Sequence, residues 1–299
     1  MHRFHCFFLL IIFFSPFSLI TSSASAVEIK HGAGILNLNT PPKKIVVLAF
    51  SFVDALAALG ISPVGIADDG NKSRVMDSVR EKIQDWQSVG SRYQPSLEAI
   101  AALQPDLIIA DSARHLSIYH DLSIIAPTMM LKSRGVTYQE NLEVLQQIAL
   151  AVDKKQQLEK RLAEHQQLMN TIKQQIKSTS TVQFAIISDK GMWLHSPTSF
   201  AGSVIKELSL SSPLQKETSE AYLQVSFEQL LSINPDWLFV GQHTDNTVLD
   251  KWRKNPLWNM LSAHKSNQII NVPANVWSLA NGLIAAEQIA KTLAEQIQK

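Results

Sequence analysis

The sequence has very few cysteines and almost no net charge. Its one cysteine is Cys6, and 27 lysines and arginines stand against 26 aspartates and glutamates. A single cysteine excludes a fold stapled by disulfides within the chain. The charge balance argues against a nucleic-acid partner, because phosphate backbones select strongly basic surfaces. A globular protein held together by apolar cores is therefore expected.

Long apolar runs are missing except near the N-terminus. A short basic region at His2 and Arg3, an unbroken apolar stretch over 7–14 and a small-x-small site over 24–26 predict a cleavable signal peptide over residues 1–26. Its removal takes away Cys6 and one arginine, so 26 charges of each sign remain. No cysteine stands at the cleavage site to accept a lipid. We therefore expect an unanchored protein in a bacterial periplasm.

The glycine signatures of common enzymes are also missing. The 11 glycines form neither a P-loop, nor a dinucleotide-binding signature, nor the nucleophile elbow of hydrolases. Adjacent carboxylates occur only at Asp68 and Asp69, in a turn where solvation is the ordinary explanation. These absences favour a binding protein over an enzyme. An exported α/β enzyme is the distant alternative.

Strand and helix patterns alternate in two separate stretches of the chain. Short apolar runs with turns and caps between them predict parallel strands covered by helices over 27–137, and the alternation resumes over 178–299. Residues 138–177 show helical periodicity and no strand signal. Asp153 is predicted to cap the second of two helices in this segment, a helix of roughly 24 residues and about 36 Å. We therefore predict two Rossmann-like α/β lobes joined by this long linker helix, with a ligand cleft between the lobes.

One motif occurs twice, once in each predicted lobe. Ser96-Leu97-Glu98 and Ser226-Phe227-Glu228 each begin a short apolar helix, which a Pro-Asp pair ends before a buried strand. Serine is a suitable N-cap, and the helix dipole favours a glutamate in the first turn. The dipole alone explains one such glutamate. The matched pair indicates two similar lobes that each expose an acidic residue.

Side chains suited to a ligand follow several predicted strands. In open α/β sheets, ligands lie beyond the carboxyl ends of the strands, and arginine offers paired donors to carboxylates. The candidates are Arg92, Arg114, His115 and Arg134 in the first lobe, and Trp193, His195 and Trp277 in the second. Taken singly, each cation also fits a solvated surface and each tryptophan also fits a core. The histidines lack the spacing of a metal motif, so no direct bond from protein to metal is expected.

Several long, ungapped segments match one family of known proteins. They include Trp86-Gln87-Ser88-Val89-Gly90 and the runs over 52–58, 94–100, 107–112 and 131–134. On these segments the mature chain resembles the helix-linked (class III) substrate-binding proteins of bacterial ABC importers for siderophores, haem and cobalamin. The fold implied by the resemblance agrees with the lobe, helix and lobe pattern predicted above.

The resemblance also implies a function. It implies that the cleft captures iron(III) dicitrate, with iron present only as part of that ligand and no resident cofactor, and delivers it to an inner-membrane ABC permease. Haem or another siderophore is the alternative ligand. In this family one surface glutamate on each lobe pairs with arginines of the permease, and the matching positions are Glu98 and Glu228. A monomer is expected.

Overall fold

The first lobe is built on a parallel five-stranded sheet. The computed structural model describes residues 27–214 and 220–297, so the predicted signal peptide lies outside the described residues. An antiparallel hairpin of β1 (Val27–His31) and β2 (Gly34–Leu38) precedes the sheet. The sheet has the order β5-β4-β3-β6-β7. Its strands are β3 (Ile45–Val47), β4 (Gly65–Ile66), β5 (Gln87–Ser88), β6 (Leu107–Asp111) and β7 (Thr128–Leu131).

Short helices connect these strands. They are α1 (Phe50–Ala58), α2 (Asp77–Arg80), α3 (Leu97–Ala102) and α4 (Tyr119–Ile125). The sequence predicts Ser51 as the cap of α1, but the helix begins at Phe50 and Ser51 is buried inside it. A helix expected over about 73–84 is replaced by a turn and the short α2. The reason is that the backbone is extended at Val75 and Met76, and this conformation buries the side chains of both residues in the core.

The second lobe contains a mixed five-stranded sheet of order β10-β9-β8-β11-β12. Its strands are β8 (Val182–Ser188), β9 (Gly191–His195), β10 (Tyr222–Val225), β11 (Trp237–Gln242) and β12 (Ile269–Val272). Strand β9 runs antiparallel to both β8 and β10, while β11 is parallel to β8 and β12. Strand β10 has no counterpart in the sequence analysis.

The helices of the second lobe close the chain against the linker. They are α7 (Phe200–Glu207), α8 (Phe227–Ile233), α9 (Leu249–Trp252), α10 (Ser262–Lys265) and α11 (Leu283–Ile297). A 3₁₀ turn covers Pro256–Met260 and a π-helical turn covers Asn275–Ala280. Within the part of the chain that the structure describes, no helix has both the length and the apolar character needed to cross a membrane.

Two consecutive helices, α5 (Tyr138–Ala151) and α6 (Lys155–Gln175), join the lobes. A capping box of Thr137 and Glu140 begins α5. The sequence predicts Asp153 as the N-cap of the second helix. In the structure this residue has a φ of 53°, a left-handed conformation that separates the two helices. At 21 residues, α6 is somewhat shorter than predicted and spans about 32 Å. The observed architecture confirms the predicted α/β lobes and their helical connection.

A buried polar network ties α6 to α5 and α11. Glu287 on α11 accepts hydrogen bonds from His165 Nδ1 and, through both carboxylate oxygens, from Arg161 Nη2, each at 2.8 Å. The Tyr138 hydroxyl donates to His165 Nε2 at 2.6 Å. Burial opposes ionisation of Glu287, but these donors outweigh it and lower the pKa of the carboxyl. The network fixes the linker to the closing helix of the second lobe.

We expect Glu287→Ala to lower the free energy of unfolding by about 3 kcal/mol, because it leaves Arg161 and the buried His165 without their acceptor. Thermal or urea unfolding followed by circular dichroism measures the change. Glu295→Ala is the matched control, since Glu295 is exposed on the same helix and carries the same charge. Equal stability of the two variants would contradict a stabilising role for the network.

A second buried carboxylate joins the first lobe to α11. Asp54 on α1 accepts hydrogen bonds from the backbone N–H groups of Ile284 and Ala285 at 3.0 Å each, and so caps this helix. Burial raises the pKa of Asp54 to about 7, against the effect of the two backbone donors. A side chain at Gly282 would collide with the Asp54 carboxyl, so this close approach requires glycine.

Candidate functional site

A cavity of about 530 Å³ is lined by segments that follow the strands of the first sheet and, in the second lobe, by β9, the first residue of β10 and segments after β11 and β12. Ligands of open α/β sheets bind beyond the carboxyl ends of the strands, and the first lobe follows that rule. The polar and aromatic side chains of the wall are Asp69, Arg74, Arg92, Tyr93, Arg114 and Arg134 from the first lobe, and Trp193, His195, Tyr222, His243, Ser278 and Asn281 from the second. The cleft predicted between the lobes therefore has a defined lining.

Arg92, in the loop after β5, is the most thoroughly fixed cation of this wall. Its Nε donates to Asp69 Oδ2 at 3.0 Å, and its Nη2 lies 2.8 Å from the same oxygen. Its guanidinium also lies over the Phe50 ring, 4.4 Å from the ring centroid. The side chain is only 8% exposed. Burial lowers the pKa of Arg92, although Asp69 opposes that shift. An arginine held in this way has little orientational freedom to lose when it binds an anion.

Arg114, in the loop after β6, is held by a second aspartate. Its Nη1 donates to Asp111 and, at 3.1 Å, to Ser133 Oγ, while Tyr93 stacks 5.1 Å from its guanidinium carbon. Asp111 is fully buried at the end of the strand. The arginine is therefore oriented from behind by groups of the first lobe, and its side chain lines the cavity.

Arg134 and Arg74 complete the cationic wall. Arg134 is exposed, and its guanidinium lies 5.4 Å from the ring centroid of Tyr222 on the facing lobe. Arg74 Nε lies 3.3 Å from Asp69 Oδ2. The sequence pattern places Arg74 inside a helix over about 73–84 and so does not mark it as a site residue. The turn that replaces this helix brings the arginine to the cavity.

The second lobe contributes neutral aromatic groups. Trp193 and His195 on β9 both line the cavity. The His195 ring packs edge-on against Phe184 and Tyr222, with centroid distances of 4.6 and 4.8 Å. Burial lowers the pKa of His195 to about 3, so its imidazole is neutral at physiological pH. This wall therefore offers packing surface and a neutral imidazole rather than charge.

Two predicted contact residues lie behind the cavity rather than in its wall. His115 is fully buried, where its Nε2 donates to the Arg92 carbonyl at 2.9 Å and its Nδ1 accepts from the Asp111 N–H at 3.0 Å. Trp277 is also fully buried and stacks on Phe239 with a centroid distance of 5.2 Å. Neither side chain lines the cavity, contrary to the prediction. His115 joins the backbone of the Arg92 loop to the backbone of Asp111, and Trp277 belongs to the core.

Other lining residues were missed for identifiable reasons. The sequence predicts a solvated turn at Asp69, because nothing local indicates that Arg92, 23 positions later, bonds to its carboxylate. Tyr222 belongs to the strand that the sequence did not reveal. Asn281, whose Nδ2 donates to the Ser133 carbonyl at 3.4 Å across the cleft, follows an irregular π-helical turn. All three positions depend on contacts that are distant in sequence.

The wall as a whole suits a polyanionic ligand. Four arginines face two aspartates, Asp69 in the wall and Asp111 behind it, which leaves two positive charges in excess. Within residues 27–214 and 220–297, no group of three or more histidine, cysteine, aspartate or glutamate side chains is arranged to hold a metal ion. Arginine forks can bind several carboxylates at once, so the cavity is equipped to bind a carboxylate-rich ligand by hydrogen bonds and charge.

The paired glutamates of the repeated motif lie outside the cavity. Glu98 and Glu228 each occupy the second position of their helices, α3 and α8, and both are exposed. Ser96 and Ser226 cap these helices as predicted. The Glu228 carboxylate accepts hydrogen bonds from its own backbone N–H and from the Ser226 hydroxyl, which lower its pKa. Each lobe thus presents one carboxylate at a helix start next to the carboxyl edge of its sheet.

Comparisons with known proteins agree with this architecture. The family model described as periplasmic binding protein matches residues 45–276. The Fe(3+) dicitrate-binding periplasmic protein FecB of Escherichia coli K12 is 41% identical over 277 residues, covering 93% of this chain and 92% of that protein. The Fe(3+)-citrate-binding protein YfmC of Bacillus subtilis is 38% identical over 266 residues, with coverages of 88% and 84%.

Solved structures share the fold at lower identity. SirA of Staphylococcus aureus in complex with staphyloferrin B superimposes with a TM-score of 0.79 at 22% identity, over 90% of this chain and 98% of that one. The petrobactin-binding protein YclQ of Bacillus subtilis also gives a TM-score of 0.79, at 24% identity and with coverages of 92% and 99%. At these identities the likeness supports the two-lobe fold alone.

Proposed function

The chain belongs to the periplasmic binding protein family, and from this premise we propose that it captures iron(III) dicitrate and delivers it to an ABC importer in the inner membrane. The observation that carries the proposal is the cluster of Arg74, Arg92, Arg114 and Arg134 on one wall of the cleft. The complex of iron with two citrates is an anion whose surface consists largely of carboxylate and hydroxyl oxygens. Arginine matches that surface, since each guanidinium can donate two parallel hydrogen bonds to one carboxylate.

In this proposal the two walls act differently. Arg92, Arg114 and Arg134 bind carboxylates, while Trp193 and His195 pack against the opposite side of the complex. Citrate supplies the donor atoms to iron, so the protein contributes no metal ligand and holds no resident cofactor. The lobes comprise residues 27–137 and 178–299, and the linker comprises 138–177. His115 and Trp277 support the site from behind.

The charge of the cavity favours a citrate complex over haem, the alternative ligand. Haem presents a large apolar ring and two carboxylates, and it is normally held by an axial histidine, cysteine, methionine or tyrosine. Here the wall carries four arginines, and the imidazole of His195 is almost fully buried between two aromatic rings. The arrangement offers more cations than two propionates require.

We also propose that the protein acts as a monomer in the periplasm and docks through Glu98 and Glu228. The sequence of residues 1–26 and the names of the relatives support this location. The two exposed carboxylates stand on different lobes, so a permease with two basic patches would bind both lobes at once. Widely separated charges set orientation and speed encounter more than they add affinity.

A thermal-shift and fluorescence screen tests the proposal. We expect ferric citrate to raise the unfolding temperature and to quench tryptophan fluorescence saturably, because Trp193 lines the cavity. Iron-free citrate, haem and ferric hydroxamates are the comparison ligands, and the citrate complex should remain unchanged during the titration. A haem Soret shift without any response to ferric citrate would favour the alternative ligand. Steady conversion of the bound compound to a product would favour an enzyme.

A further inference from the structure

Asp69 is a carboxylate in the wall of a site that suits anions, and both of its carboxylate oxygens contact arginines of the same wall. It accepts from the Arg92 backbone N–H at 2.8 Å through Oδ1, while Oδ2 contacts Arg92 Nε at 3.0 Å, Arg92 Nη2 at 2.8 Å and Arg74 Nε at 3.3 Å. We propose that Asp69 is a positioning residue that sets the orientation in which Arg92 and Arg74 meet the ligand. This inference rests on the proposed function.

The loop around Asp69 is itself fixed. Asp68, the preceding residue, is fully buried and accepts from Trp86 Nε1 at 2.9 Å and from the Gly70 N–H at 3.0 Å. Asp69 has a φ of 60°, and its N–H donates to the Gly90 carbonyl at 3.1 Å. The left-handed conformation aims the carboxylate at the loop that carries Arg92. The Asp69 carboxylate that orients Arg92 therefore stands on a backbone that hydrogen bonds fix at both Asp68 and Asp69.

The contacts of Asp69 also select which edge of Arg92 is free. Nε and one side of Nη2 face Asp69, so the donors left for a ligand are Nη1 and the remaining hydrogen of Nη2. The Phe50 ring under the guanidinium fixes its plane. An anion then meets the outer edge of the fork, in one plane and from one direction. Without Asp69, the Phe50 ring would still hold the plane of the guanidinium, but none of these side-chain contacts would set the direction of the fork within that plane.

The negative charge of Asp69 and its role in orienting Arg92 should have opposite effects on the affinity for an anionic ligand. Burial opposes ionisation of Asp69, but the hydrogen bonds from Arg92 outweigh it and lower the pKa, so the carboxylate is charged at neutral pH. A negative charge in the wall repels an anionic ligand. If net charge governed binding, removing that charge would tighten it. If orientation governs, removing it weakens binding although the site becomes more positive.

Asp69→Asn separates the two cases, because asparagine has the same shape and tolerates the left-handed backbone that alanine disfavours. We expect calorimetric titration with ferric citrate to show roughly tenfold weaker binding in Asp69→Asn than in the wild type. Asp85→Asn is the charge-matched control, since Asp85 is exposed and pairs with Lys72 away from the cavity. That control should bind as the wild type does.

A double variant checks that Asp69 acts through Arg92. Adding Asp69→Asn to Arg92→Ala should weaken binding by much less than tenfold, since the group to be positioned is already gone. Unchanged or tighter binding in Asp69→Asn, or full additivity in the double variant, would overturn the inference. Thermal unfolding of each variant confirms that it is folded. Failure of the wild type to bind ferric citrate would instead overturn the proposed function.

Discussion

Arg92→Ala and Arg114→Ala are each expected to weaken ferric citrate binding by roughly tenfold to a thousandfold. Each arginine is oriented by a partner aspartate, so its removal takes away prearranged hydrogen bonds and leaves that carboxylate without its cationic partner near an anionic ligand. The loss thus combines a missing attraction with an added repulsion. Calorimetric titration at fixed ionic strength measures it, because contacts between charges weaken with salt.

Arg80→Ala is the matched control for these two substitutions. Arg80 is a surface arginine of the same lobe that pairs with Asp77 at 2.5 Å and does not line the cavity. The Arg80→Ala substitution removes the same charge without removing a ligand contact. The affinity of this variant for ferric citrate should therefore stay within about twofold of the wild type. Wild-type affinity in both Arg92→Ala and Arg114→Ala would show that the ligand binds elsewhere.

Replacement of both Glu98 and Glu228 by alanine is expected to abolish ferric citrate uptake in cells while leaving ferric citrate binding unchanged. Both carboxylates are exposed, neither lines the cavity, and each lies on a different lobe. Each single substitution removes one of two docking points and should reduce uptake partially. Uptake of radioactive iron in a strain that lacks the wild-type protein measures transport, and titration of the purified variants measures binding.

The docking prediction also has a charge-matched control. Glu81 and Glu159 are exposed on the first lobe and on the linker, and neither is at a helix start. A Glu81→Ala and Glu159→Ala double variant should transport at the wild-type rate. If the Glu98 and Glu228 double variant also transports normally, the two carboxylates only stabilise the N-termini of their helices and the docking proposal is wrong.

Local patterns in the sequence were sufficient for most of the fold. Ser96 and Ser226 were recognised as N-caps because a cap bonds to the backbone N–H three residues later. The strand over 107–111 was recognised because it is buried on both faces and is therefore uniformly apolar. Strand β10 was missed, since its half-exposed residues carry no continuous apolar run and it pairs antiparallel with β9.

The order of lobe, helix and lobe, the loops that follow the strands and the arginines in those loops can all be predicted from the amino-acid sequence alone. Periodicity, capping and strand burial act over a few residues, and so they can be read locally. The remaining features arise only in the folded chain. Folding buries His115 and Trp277 behind the cavity, brings Arg74 to the cavity, and places Asp69 beside Arg92. These positions depend on contacts between residues that lie far apart in the chain, whose geometry exists only once both lobes have folded.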